Sequence, residues 1–337
     1  MKILILGGTG VISRSIVDQL LQGNHEVSVY NRGTRSLLFQ REVRQIIGDR
    51  SDRSRFEQEM RRESFDVVID MICFNEADAR STVRAFQDNA GQIMITSSVA
   101  AYKRPYVTVP TVESAERLWD DPVFPYAFHK AEMERYLQGV MAAENLPVTI
   151  VRPSLTFGPG AANIGILRQN YGIVDRIIKG KPLVMFGDGS TSWSFTFVPD
   201  LARGFVALAG NPGAVGEAFH VTSDFRNVWE DLYREFGRIV GIEPRIVHIP
   251  SEVLYKAAPS LCNHLYYEKT YAGLFDNSKI KSVAPGYEAT ISLAEGVRML
   301  YDWFVTEAKT VDPAKDALED RLVAAQLAFA DSVANIF

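Results

Sequence analysis

Tyr126 and Lys130 stand four residues apart in FPYAFHKAEMERYL, which puts both on one face of a single helix. A phenol titrates near 10 in water, roughly three units too high for a base near neutrality unless a cation lies beside it. Lys130 supplies that cation, and the pair could then exchange a proton with a hydroxyl or carbonyl oxygen. The spacing alone is common, and in an arbitrary chain it marks a packed tyrosine with an exposed lysine. Placement singles this pair out: its helix follows the strand in QIMITSSVAAY, whose end carries Ser97 and Ser98 at the edge where open α/β sheets bind ligands.

The elements that must position such a pair begin at the N-terminus. KILILGG is a run of strand formers leading into Gly7, Gly8, Thr9 and Gly10, and VISRSIVDQLL repeats apolar positions at helical spacing. Strand, glycine turn and helix form a phosphate cradle, because the helix N-terminus offers unpaired N–H groups and a positive dipole. Gly7, Thr9, Gly10, Val11 and Ile12 are the expected contacts for a dinucleotide. Ser13 replaces the usual third glycine and is small enough for close packing. A glycine turn in some other α/β protein is the alternative.

HEVSVY reads as a second strand ending at Asn31, Arg32 and Gly33. An acid at that strand end binds both ribose hydroxyls of NAD; here Asn31 takes its place. Arg32 and Arg35 could clamp a 2′-phosphate, so NADP(H) is favoured over NAD(H). The competing reading makes both arginines solvated loop charges.

At 337 residues and 47% hydrophobic content, the chain can bury a large core or a core plus a smaller lobe. A formal charge of −5 argues against wrapping nucleic acid. Arginines between Arg32 and Arg62 are interleaved with acids, as on a solvated helical face. Cys73 and Cys262 make no disulfide framework, no metal site is expected, and His25, His129, His220 and His248 read as structural. No apolar run approaches membrane-spanning length, and the chain opens on a strand, so a cytoplasmic protein with no membrane partner is expected.

Strand and helix patterns alternate through RQIIGD, a helix from Ser54 to Glu63, DVVIDMI, a helix around Ala77 to Phe86, GQIMITSS, a helix from Tyr126 to about Glu144, and PVTIVRP. This is the pattern of an α/β protein, a Rossmann-type doubly wound parallel sheet. Beyond Pro153, glycine and proline become denser, which suggests a smaller C-terminal substrate-binding lobe. The expected organisation is a dinucleotide-binding domain over 1–155, to which a segment of about 195–222 returns; a lobe over 156–305; and a helical extension over 306–337. Asp312 and Pro313 would cap the extension's helix.

GGTGVIS, GDRSD, DVVIDMI, ITSSVAAY, PYAFHK, VRPSLTFGPG and FTFVPDLARGF together resemble the short-chain dehydrogenase/reductase superfamily, in its extended NAD-dependent epimerase/dehydratase branch, over roughly residues 1 to 305. The resemblance implies an NAD(P)-dependent oxidoreductase or epimerase acting at a secondary alcohol or ketone of a small molecule. Tyr126 would exchange the proton, Lys130 would also hold the nicotinamide ribose, and Ser98 would bind the reacting oxygen, with Ser97 as fallback. Asp49, with Arg50 beside it, would lie near the adenine. Asp70, Met71 and Cys73 would pass beneath the cofactor, although burial as a small apolar residue is the better reading of Cys73. Arg152 and Pro153 would end the strand leading to the lobe, and a homodimer is implied.

Nucleotide-sugar epimerases of this branch carry two arginines that grip a pyrophosphate; Trp193 and a residue near Tyr266 align there, which puts a UDP-sugar in doubt. Those two could instead line a less charged substrate pocket, or be lobe core. Val99 and Ala100 follow Ser98 where dehydratases have an Asp-Glu pair, so dehydration is disfavoured. The alternatives kept are a nucleotide-sugar epimerase with tightly bound NAD, and a non-catalytic cofactor-sensing or RNA-binding relative.

Overall fold

Successive residues of the first strand point to opposite faces, and both faces are buried: Ile3 and Ile5 on one, Leu4 and Leu6 on the other. A strand buried twice needs helices on both sides. The computed structural model, which describes residues 1–34, 39, 41–144, 146–161 and 163–336, supplies them. Its first half runs β1 (Lys2–Leu6), α1 (Val11–Gln22), β2 (Glu26–Asn31), β3 (Arg44–Ile47), α2 (Arg53–Met60), β4 (Phe65–Asp70), α3 (Glu76–Phe86), β5 (Ala90–Thr96), α4 (Pro125–Glu144) and β6 (Val148–Pro153). Three later elements join them: α5 (Val198–Leu208), β7 (Ala218–Val221) and α6 (Ser278–Val283).

The seven strands pair in parallel in the order β7-β6-β5-β4-β1-β2-β3. Ile16 and Leu20 of α1 and Leu201 and Phe205 of α5 cover one face. Phe56 of α2, Phe86 of α3 and Met133 and Leu137 of α4 cover the other. This is the Rossmann-type doubly wound sheet. Strand order reverses between β1 and β4, the switch point at which such sheets bind ligands. Register aligns the strand ends there, with Leu6 opposite Asp70 and Asp70 opposite Ile95.

The chain divides into two compact units. The first comprises Met1–Leu155, Val198–Asp224 and Phe275–Thr290. Its last segment belongs there because Ile280 and Tyr287 bury in the same cluster as Val221 and Phe205. Gly204 permits that approach: a Cβ there would lie 2.2 Å from Val221 and 3.1 Å from Tyr287.

The second unit comprises Thr156–Phe197, Phe225–Leu274 and Ile291–Phe337. Its core is aromatic, with Phe195 and Phe186 packed edge-on against Trp229 at 5.0 and 5.5 Å between ring centroids. Its terminal helix, Pro313–Ala334, starts as the sequence predicts: Asp312 accepts from the Ala314 and Lys315 amides, and Pro313 follows it. That helix is docked by Arg176, which pairs with Asp316, Glu319 and Asp320. Buried Glu319 accepts from the Val184 amide at 2.7 Å and the Gln169 side chain at 3.0 Å. Among the described residues, no helix is long and apolar enough to cross a membrane.

Candidate functional site

The glycine turn after β1 is held by the Gly7 amide donating to the Tyr30 carbonyl at 2.9 Å. Gly7 and Gly8 have φ of +113° and +76°, which L side chains rarely adopt. A Cβ on Gly8 would also lie 2.7 Å from Val29 of β2, so this turn hugs the sheet. Ser13 does the work of the missing glycine: it is buried, and its hydroxyl accepts from the Gly10 amide at 3.0 Å. The first intrahelical bond of α1 is Arg14 to the Gly10 carbonyl, so the amides of Val11 and Ile12 have no helical acceptor. No acidic residue occupies the first turn, leaving the positive end of the helix for an anion.

At the end of β2, the Asn31 carbonyl side-chain oxygen accepts from the Gly33 amide and from Gln45, both at 2.8 Å. Its Nδ2 is buried with no partner among the described residues. Arg32 is exposed beside it, and Arg35 lies outside the described residues. Asp49 is exposed; its carboxyl sits below the ordinary value because the Ser51 amide and hydroxyl donate to it, with Arg32 adding attraction.

Arg50 corrects the sequence reading. Its guanidinium does not face a ligand but is buried, donating to Asp70 at 2.6 Å, the Asp78 carbonyl at 2.7 Å and Thr82 at 2.6 Å. A guanidinium this buried needs an anion beside it, and Asp70 supplies one. Asp70 in turn accepts from Thr82 and the Ile72 amide, fixing the chain that leaves β4. Met71 is half-buried, and its sulfur accepts from Thr96 at 3.1 Å. Cys73 is fully buried, and burial pushes its thiol far up, so it is inert.

Helix α4 carries Tyr126, Lys130 and Glu134 at successive four-residue steps, hence along one face. Tyr126, in the first turn, is 49% exposed. Lys130 is buried, and its ammonium donates to the carbonyls of Cys73 and Thr96, each at 2.7 Å. Burial lowers its pKa, opposed by the nearby acidic groups. The helix is thereby bound to the ends of both β4 and β5.

The two serines separate clearly. Ser97 is buried and donates to Glu134. Ser98 is half-buried and accepts from the Ala100 amide at 3.1 Å, which leaves its O–H to donate. Glu134 extends a buried polar chain that the sequence reading missed. It pairs with Arg152, which donates to the Tyr102 hydroxyl at 2.8 Å; that hydroxyl meets His220 Nε2 at 2.6 Å. His220 is pushed down to about 3 by burial and by Arg152, so it is a neutral structural histidine. A signal was available, since Glu134 falls one turn past Lys130 on the face turned to the sheet. Pro153 is buried at the end of β6.

Within the second unit, Trp193 falls to the second of its two sequence readings, lobe core. It is fully buried, 5.6 Å from Trp229 between ring centroids, with the Lys269 ammonium 4.1 Å above its ring. Gly273 lies so close that a Cβ there would meet the indole at 2.3 Å. Trp193 is core, not pocket lining. Tyr266 is half-buried and stacked on Tyr255 at 5.2 Å.

Sheet order, glycine turn and the Tyr126–Lys130 helix define a dinucleotide-dependent enzyme of the short-chain dehydrogenase type. The model of the NAD dependent epimerase/dehydratase family matches residues 3–222, and the chain belongs to that family. It is an NAD(P)-dependent oxidoreductase or epimerase. It is 26% identical over 290 residues to 2'-dehydrokanamycin reductase of Streptomyces kanamyceticus, covering 86% of this chain and 80% of the reductase. It is 25% identical over 324 residues to the chloroplast stem-loop binding protein of 41 kDa b of Arabidopsis thaliana, covering 89% and 78%. In fold it is similar to a solved UDP-glucuronic acid 4-epimerase from Bacillus cereus in complex with UDP-glucuronic acid and NAD (TM-score 0.69, 20% identity, 91% of this chain and 100% of that one).

Proposed function

We propose that this enzyme interconverts a ketone and a secondary alcohol on a small molecule, using NADP(H), with Tyr126, Lys130 and Ser98 as the reacting set. The observation that carries the reading is the burial of Lys130 on α4, one turn after the half-exposed Tyr126 and against the strand end bearing Ser98. The similar reductase supports reduction as the working direction.

The residues fit the cofactor. The amides of Val11 and Ile12, behind Gly7, Thr9 and Gly10, receive the pyrophosphate; Met71, Ser97 and Pro153 line the sheet end; Asp49 lies at the adenosine end. NADP(H) is preferred because the end of β2 holds a committed acceptor and a donor without a partner among the described residues: Asn31 Nδ2 and Arg32 suit a phosphate, whereas a ribose diol needs an acceptor. When bound, the nicotinamide supplies or accepts the hydride. Tyr126 gives its phenolic proton to the substrate oxygen in reduction and takes it back in oxidation. Lys130 holds positive charge near the phenol and favours its ionised form. Ser98 donates a hydrogen bond to the same oxygen, fixing the carbonyl. Val99 and Ala100 are buried and carry no acid, which disfavours dehydration.

The test is paired titration of the purified protein with NADPH and NADH, with a mass and absorbance check for retained cofactor, followed by a carbonyl substrate screen. Micromolar preference for NADPH and turnover abolished in Tyr126→Phe are expected. Retained NAD⁺ would instead favour epimerisation with the hydride returned inside the site. Absence of both binding and turnover, together with RNA affinity that falls steeply with salt, would favour the reading suggested by the stem-loop binding relative.

A further inference from the structure

The C-terminal helix, Pro313–Ala334, is docked by charge more than by apolar packing. Of its 22 residues only Glu319, Leu322 and Val323 are buried, and Glu319 is the most deeply covered of the three. Seating an acid there costs its hydration, a cost that an apolar side chain would avoid. What the acid gains is a grip on one loop. Glu319 Oε1 accepts from the Val184 amide at 2.7 Å and from Gln169 Nε2 at 3.0 Å. One turn earlier on the helix, Lys315 donates to the Arg168 carbonyl at 2.9 Å.

The helix thus holds two successive residues of loop 164–170, and the backbone there is left-handed. Arg168 and Asn170 have φ of +55° and +54°, values uncommon away from glycine. Gln169 Oε1 also accepts the Leu167 amide at 3.0 Å, so the turn hangs on a side chain that Glu319 fixes. Such a conformation persists only where its surroundings over-determine it, and the C-terminal helix supplies part of them. We propose that the C-terminal helix is a releasable strap, latched by Glu319, which holds loop 164–170 in its left-handed form, so that helix and loop come free together.

The latch responds to pH. Glu319 Oε2 has no hydrogen-bond partner among the described residues; Arg176 Nε lies 3.4 Å away, and Arg176 is shared with Asp316 and Asp320. Burial accordingly pushes this carboxyl up to about 7. The docked form holds a proton that a released, hydrated Glu319 gives up above its ordinary 4.5. Raising pH from 4.5 to 7 therefore favours release, and above 7 the effect levels off. The neighbouring groups do not share this window. Burial notwithstanding, Asp316 is held below its ordinary value by Lys181 and Arg176, as is Asp320, so both stay ionised. Arg176, Lys181 and Lys315 stay cationic, and burial keeps the Tyr233 phenol neutral. His248, on the strand Ile246–Ile249 beside the helix, pairs with Glu230.

The test is amide hydrogen exchange on the full-length protein, read by mass spectrometry and corrected for intrinsic rates, from about pH 5 to about pH 8. Wild type should lose protection in 164–170 and 313–323 together, about five- to sevenfold per pH unit up to about 7, while core peptides of the same unit show no such slope. Glu319→Gln keeps an Oε1 for both donors and should hold protection flat; His248 is common to both proteins and cancels. Lys315→Met severs the Arg168 grip alone and should speed exchange of the loop about two- to tenfold at every pH. If loop and helix exchange independently, the strap is refuted. A slope equal in wild type and Glu319→Gln, or a flat wild-type profile should that variant not fold, overturns the latch and the proposal with it.

Discussion

Asn31→Asp tests the cofactor reading with least disturbance to the fold. Asn31 Oδ1 already accepts from Gly33 and Gln45, and an aspartate oxygen can accept both. The change is that the buried Nδ2, which has no partner among the described residues, becomes a carboxylate oxygen. For NADPH, a charge-assisted hydrogen bond of about 1.5–3 kcal/mol disappears. A carboxylate also comes to face the 2′-phosphate, a repulsion of up to about 4 kcal/mol at 4 Å near a protein surface, which solvent and salt reduce. A net loss of about 3 kcal/mol weakens NADPH roughly 100-fold. NADH gains, because its ribose hydroxyls now meet an acceptor. Calorimetric titration of both reduced cofactors into wild type and variant should therefore show the preference inverted, with the melting temperature little changed. A Kd ratio that moves by less than about threefold would refute the argument, because it would mean that Asn31 does not face the ribose.

Other outcomes follow from the same side chains. Tyr126→Phe should reduce turnover by about 100-fold or more at unchanged cofactor Kd, measured by single-turnover absorbance, since the phenol transfers the proton and its ring is half exposed. Glu134→Ala leaves Arg152 charged and buried and Ser97 without its acceptor, so urea unfolding should show a loss of about 3–5 kcal/mol. Glu319 is pushed up to about 7 by burial, from an ordinary value of 4.5. The folded chain therefore holds this proton between those values while the unfolded chain has lost it. Its contribution is full below about pH 4.5 and is lost as pH rises through 7, an amplitude of about 3 kcal/mol. Glu319→Gln should lack that decline, so the wild-type minus variant stability should fall by about 3 kcal/mol as pH rises from 4.5 through 7; parallel curves would refute it.

The sheet was legible because fully buried parallel strands read as continuous apolar runs, as in ILIL, VVID and IMIT. The glycine turn and the Tyr126–Lys130 face were legible because each is set by spacing within one element. Arg50 was not. It sits in a charged run beside exposed Asp49, and its partners Asp70 and Thr82 lie twenty and thirty-two residues later. Trp193 was left between pocket and core for a related reason: the rings and glycine that enclose it come from distant segments, and an aromatic residue in a core looks in sequence like one in a pocket. Ser97 and Ser98 were separable only once Glu134 was seen to claim the first.

Helix α4 is clamped unevenly, with consequences in time as well as space. Its middle turns are nailed down through Lys130 and Glu134, while Tyr126 in its opening turn is half exposed. Amide exchange should therefore slow steeply from Tyr126 toward Glu134, giving one helix a soft tip on a stiff stem. Such a tip can re-aim a phenol from substrate to substrate on fast timescales without loosening the lysine behind it. Diversification of what the enzyme accepts can then proceed at the tip, with the stem, and the chemistry it anchors, left unchanged.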